Sequence, residues 1–295
     1  MFIAILAWLV GAGTARANDA ADQQRFAGWI HAGLLDPSAP IDKRREIAAE
    51  IEVLTKDDSE PGLLYLLGSL YHQDPARSSS PLPQDIDRAR ELLSRAALHG
   101  KVPAMAKLST IELQAGNRFE ANVWAQLFYH YAKQQAKVDP RWSEGLAASI
   151  LRNALVGFPK SEMDALNESV GAMIAQYDVQ IMQGLGRIAE ASAGNRFRDA
   201  RPGKRMLLNS RDTSGRTYEA GVAEYVIEFA SDGTLKQLWS LDAWPNPKLA
   251  KVLRNLALGF RIDAKLASEA DGVVGILPLE FVDGRYSIRD QPASD

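Results

Sequence analysis

From position 22 to about 193, apolar residues recur three and four places apart with few β-branched runs, the period of consecutive amphipathic helices. Segment 62–71 reads as one helix. After a Ser/Pro-rich loop, 86–98 reads as a second, with Ala89, Leu92, Leu93, Ala96 and Ala97 on its inner face. Gly100 is placed to end it, because glycine takes the left-handed cap conformation without a Cβ penalty. A new helix is expected near Pro103, where Ala104, Leu108 and Ile111 repeat the apolar spacing that starts at Leu63, and 119–133 answers the second helix. This is an internal repeat of helical pairs, flanked by helices at 41–55 and 142–156 that fit by periodicity and are expected to cap it. Ser161 is placed to cap a long helix reaching Ala193. Its stripe runs through Met163, Leu166, Val170, Met173, Tyr177, Ile181, Leu185 and Ile188. Gly171, Gly184 and Gly186 interrupt this stripe, which favours packing along the other helices over a dimeric coiled-coil seam.

After Thr217 the period changes to two. Tyr225, Ile227 and Phe229 alternate with Val226 and Glu228, which predicts a strand with one face buried, and Ser231, Asp232 and Gly233 supply a hairpin turn. A second strand is expected over 235–241. Asn246 then suits a helix N-cap and Pro247 a first helical turn, for a helix reaching about Gly259 with Leu249, Val252, Leu253 and Leu256 on one face. A last strand follows within 272–282. Between these two parts, Arg196, Arg198, Arg201, Lys204 and Arg205 are opposed only by Asp199, a basic linker at 194–205. The expected fold class is therefore α+β: an all-α helical-repeat, solenoid-like domain over 18–193 and a small ββαβ domain over 206–295.

Two resemblances sharpen this picture. Leu67, Gly68, Leu70 and Tyr71, then Arg88 and Ala89, then Ala96, Ala97 and Gly100 form a pattern that resembles the Sel-like subfamily of tetratricopeptide-type repeats. The match is full over 61–100. Segment 102–137 lacks the Leu-Gly and Ala-Ala signatures. In the second part, the run from Gly221 to Phe229, then Asp232 to Leu235, then Gly259, Phe260 and Arg261, then Leu277 to Phe281 resembles the C-terminal domain of TonB. The first resemblance implies a protein- or peptide-binding surface. The second implies a free sheet edge to which an extended peptide adds by main-chain hydrogen bonds, here at Leu277, Leu279, Glu280, Phe281 and Val282. A sheet that merely packs on the repeats is the alternative. The inner-membrane helix and long Pro/Lys-rich spacer of TonB itself have no counterpart here.

Composition changes the picture in three places. The apolar run 2–13 followed by Ala15, Arg16 and Ala17 has the form of a signal peptide (1–17) cleaved after Ala17, so an exported, periplasmic chain is expected. The run is well short of the ~20 residues that cross a bilayer, so no transmembrane span is expected after cleavage; an uncleaved anchor or a buried N-terminal helix are the alternatives. The 295 residues include no cysteine, which excludes disulfides, thiolate metal sites and cysteine nucleophiles. A net charge of −3 supplies no electrostatic footprint for nucleic acid.

Candidate chemistry is sparse. His31, His72, His99 and His130 lie far apart without metal-ligand spacing and read as surface or helix-packing residues, and no cofactor or metal site is expected. Gly184, Gly186 and Ala189 match a G-x-G-x-x-A pattern, but they sit inside a helix without the strand that a dinucleotide site requires. No serine elbow, phosphate loop or paired carboxylates are recognisable. The expectation is a non-catalytic adaptor in the cell envelope that binds a protein or peptide, with oligomeric state open. An enzyme whose site is assembled between the two parts, and a dimeric assembly or regulatory factor, remain as alternatives.

Overall fold

The computed structural model describes residues 17–74, 79–138, 144–193, 201–202, 220–265 and 273–282. Residues 1–16 of the predicted signal peptide and most of the basic linker lie outside them. The described chain is α+β, with helices preceding a small antiparallel sheet. The helices are α1 (Ala17–His31), α2 (Ile41–Leu54), α3 (Pro61–His72), α4 (Ile86–Leu98), α5 (Val102–Ala115), α6 (Arg118–Val138), α7 (Glu144–Leu155) and, after a 3₁₀ turn at Lys160–Glu162, α8 (Met163–Ala193). Among the described residues no helix is long and apolar enough to cross a membrane.

Local chemistry sets these boundaries. Pro61 opens α3, where its missing N–H costs nothing. Asp85 caps α4 by accepting a 2.9 Å hydrogen bond from the Arg88 N–H. Gly100 (φ +90°) turns the chain sharply from α4 into α5. The stripe of α8 lies against α4 and α6, with Leu166, Val170, Ile181 and Leu185 buried, so the face that would form a coiled-coil seam is used within the chain. Of the α8 glycines, Gly184 has a specific reason. A Cβ on Gly184 would stand 2.0 Å from the carbonyl oxygen of His99, and one on Gly100 would stand 2.4 Å from the amide nitrogen of Leu185. Here α8 crosses the α4–α5 turn backbone against backbone.

The C-terminal part contains β1 (Arg201–Pro202), β2 (Gly221–Phe229), β3 (Leu235–Trp244), α9 (Leu249–Ala257), β4 (Phe260–Arg261) and β5 (Val273–Phe281). The order of the main sheet is β3-β2-β5, all antiparallel, and β1 pairs with β4 beside it. The expected strand, turn, strand, helix, strand sequence is present. Its helix starts later than expected: Asn246 accepts from the Lys248 N–H at 3.0 Å in a turn of its own, and Lys248 is the N-cap. β3 also continues to Trp244, past the expected end at 241, because its pairing with β2 resumes beyond a register shift and carries on to Val222–Trp244.

One expectation is overturned. Every residue of β2 is buried, so this strand has two buried faces rather than one. Tyr225, Ile227 and Phe229 pack with Leu277, Leu279 and Phe281 of β5 and with Leu249, Leu253 and Leu256 of α9. On the opposite face, Val222, Val226, Trp239, Trp244, Ile276 and Val282 belong to the same core as α1 through α8. The physical reason is that Glu224 and Glu228, which read as solvent-facing, point at the helices and find partners there.

Candidate functional site

The most concentrated chemistry lies in the seam between helices and sheet. Tyr65, Ser69 and His72 follow one another at four and three residues along α3 and so share a face. Lys107 comes from α5, whose Met105, Ala106, Leu108, Ser109 and Thr110 are all buried around it. Glu224 and Asp242 are directly opposed in the β2–β3 register. Two carboxylates facing each other across a ladder repel. A register shift between Glu224 and Tyr225 places Leu241 as the extra residue of a bulge and keeps Asp242 on the helix side with Trp239.

Lys107 resolves the repulsion. Its side chain is wholly buried, and Nζ donates to Ser69 Oγ at 2.7 Å, Glu224 Oε2 at 2.7 Å and Asp242 Oδ2 at 2.8 Å, which uses all three of its donors. Nζ also stands 4.4 Å from the centre of the Tyr65 ring. The Tyr65 hydroxyl donates to Glu224 Oε1. His72 Nδ1 lies 2.9 Å from Asp242 Oδ2, and Asp242 Oδ1 accepts from the Ala243 N–H at 2.8 Å. Burial alone would push the Lys107 amine down; Asp242 and Glu224 outweigh it and hold the amine above its ordinary range. Burial would likewise raise Asp242, yet His72 and Lys107 hold its carboxyl well below the usual carboxylate range. Burial first, then Glu224, keep the Tyr65 hydroxyl protonated. A second tie uses Glu228, whose Oε1 lies 3.1 Å from His31 Nε2 and accepts from Lys236 Nζ at 2.7 Å. Gln114 adds a hydrogen bond to the Pro245 carbonyl at 2.8 Å.

Beside this network is a half-open cavity of about 20 Å³, room for one or two waters. Phe128, Leu146, Val222 and Pro278 supply apolar walls, while Lys101, Glu224 and Glu280 supply charged ones. Among the described residues no group of three histidine or acidic side chains is arranged to hold a metal ion.

Of the residues singled out in the sequence, His72 and Glu280 belong to this seam and most of the others pack the core. Leu67, Leu70, Ala96 and Ala97 are fully buried between helices. A Cβ on Gly68 would meet Leu93 at 2.9 Å, so this glycine lets α3 and α4 approach. Tyr71 is half-buried and donates to Glu52 at 2.9 Å. Among the described residues β5 lies at the edge of the sheet, and all nine of its residues are buried. Leu277, Leu279 and Phe281 face α9, whereas Glu280 lines the seam cavity and Val282 belongs to the helical core. A peptide adding to this edge has to displace what covers it. Of the histidines, His31 and His72 meet sheet carboxylates, His99 lies 3.8 Å from Asp58, and His130 stacks edge-on against Tyr131.

Lys107, Glu224 and Asp242 escaped the sequence reading because strand periodicity counts a glutamate as a solvent position. A signal was present nonetheless: a single lysine within a helix of otherwise apolar or small residues, Val102 to Ile111, has no polar face to occupy. No protein-family model, curated protein or solved structure matches this chain.

Proposed function

We propose that this chain is an exported, non-catalytic adaptor that binds a protein or peptide partner in the cell envelope through its helical layer. The observation that carries the reading is the way α3, α4 and α5 pack: Gly68 at the helix contact, Ala96 and Ala97 buried, and Gly100 at the turn. These are the places such residues occupy in the Sel-like pattern, and arrays of that kind present binding surfaces. The signal-peptide form of 1–17 supports export. Strand addition at Leu277, Leu279, Glu280, Phe281 and Val282 is the less favoured mode, since β5 is buried.

A second reading, an enzyme with its site in the seam, is favoured by the convergence of Lys107, Glu224, Asp242, His72 and Tyr65. It would require a substrate to reach a lysine whose donors are all occupied through a cavity of about 20 Å³. The adaptor reading has no such requirement.

The test places a photo-crosslinking residue in the full chain at exposed Val53 in the last turn of α2, at exposed Val156 after α7, at Lys236 on β3, or at buried Leu279. One envelope protein recurring at Val53 or Val156 is the expected result. An extended segment of a partner joined to Leu279 would move the binding to the sheet edge, and no intermolecular adduct at any position would defeat the adaptor reading.

A further inference from the structure

The seam contains two buried lysines in different states. Lys107 has every donor occupied. Lys101, the N-cap of α5, is only 5% exposed and lines the cavity, and among the described residues no group accepts a hydrogen bond from its Nζ. Its Nζ stands over the face of the Tyr65 ring, 5.3 Å from the ring centre. An ammonium removed from water without acceptors is costly, and the cost falls when the amine is neutral. Burial pushes the Lys101 amine down to about 8; Glu224 opposes this and Lys107 adds to it. A desolvated amine beside a second cation is the setting that makes a lysine nucleophilic.

The walls restrict what such an amine meets. An anion entering the cavity faces the carboxylates of Glu224 and Glu280, and a cation faces Lys101 with Lys107 behind it. A neutral ligand with a hydrogen-bond acceptor fits, and the volume admits about one or two heavy atoms, enough for a carbonyl group whose substituent stays at the open mouth.

We propose that Lys101 is a nucleophilic amine that captures small aldehydes as an imine. The nitrogen lone pair attacks the carbonyl carbon, the C=O π electrons move to oxygen, and that oxygen takes a proton from the nitrogen. The resulting hydroxyl takes a proton from solvent water and leaves as water while the nitrogen forms the C=N bond, and the nitrogen's remaining proton returns to solvent, so amine plus aldehyde gives imine plus water with no oxidant or reductant. The charge of Glu224, which favours a cation at Lys101, favours the protonated imine in the same way. Tyr65 Oη is already committed to Glu224 and serves as a wall. This site is independent of the adaptor reading.

The test treats the full, folded chain with acetaldehyde and cyanoborohydride at neutral pH and follows ethylation of each lysine by peptide mass mapping. Lys236, whose side chain is 59% exposed, is the internal reference. Lys101 is expected to be ethylated about tenfold faster than Lys236 or more, as an activated amine should be. In the urea-unfolded chain the ratio should fall to about one, the value for ordinary lysines. Lys101→Arg should remove the fast site. Ethylation of Lys101 in the folded chain no faster than that of Lys236 would overturn the proposal, and that comparison is made in the unaltered protein whether or not the variant folds.

Discussion

The two faces of the sheet are both buried and are built from opposite materials. Toward α9 the residues are apolar: Tyr225, Ile227, Phe229, Leu277, Leu279 and Phe281. Toward the helical layer, apolar Val226, Trp239 and Ile276 alternate with Glu224, Glu228, Asp242 and Glu280, each of them buried. An apolar face tolerates many partners, since burial is rewarded by area and not by direction. A face carrying buried carboxylates tolerates only a partner that returns their hydrogen bonds and charge. The first face holds α9; the second specifies which helices lie on it and in what register.

The largest effect that would break this comparison is expected at Lys107. Lys107→Met leaves Glu224 and Asp242 buried and opposed, and should cost about 3–5 kcal/mol of unfolding free energy in urea titration. Combining it with Glu224→Gln and Asp242→Asn should recover more than half of that loss, because the face is then polar but no longer charged. Gly184→Ala, where the new Cβ meets the His99 carbonyl, is expected to cost about 1–3 kcal/mol through forced separation of α8 from the α4–α5 turn.

Acid sharpens the same contrast. The carboxyl of Asp242 is depressed in the folded chain, so its contribution is complete above the unfolded value of about 3.9 and is lost as pH falls through the folded one. Stability should therefore fall with acid below about pH 4, and less steeply in the Lys107→Met variant. Lys101 acts in the opposite sense. Its folded value of about 8 lies below the ordinary ~10.4, so the folded chain binds fewer protons between these values and stability rises with pH across that window. Lys101→Met should remove that rise. The smallest effect is expected at Lys236→Ala, within about 0.5 kcal/mol, because this partner of Glu228 is largely exposed.

The comparison also explains what was legible in the sequence. Helices α3, α4 and α5, their stop at Gly100 and the Asp232–Gly233 hairpin follow from local rules, and so does the α9 face, where Tyr225, Ile227 and Phe229 announce themselves by period. The helix-facing side does not, because the meaning of Glu224 depends on Lys107, which is 117 residues away in the chain. The role of Gly184 in α8, one of three glycines there, was equally opaque. All three read as breaks in a stripe, whereas Gly184 is needed by a turn far earlier in the sequence.

The central claim, that the sheet and the helical layer are one cooperative body joined through Lys107, is tested most directly by native-state hydrogen exchange. Amides of Ile227 in β2 and Leu66 in α3 should exchange with the same opening free energy, and Lys107→Met should lower both by the same amount. Exchange of Ile227 at a markedly lower free energy than Leu66 in the unaltered chain, with no response of Leu66 to Lys107→Met, would contradict it.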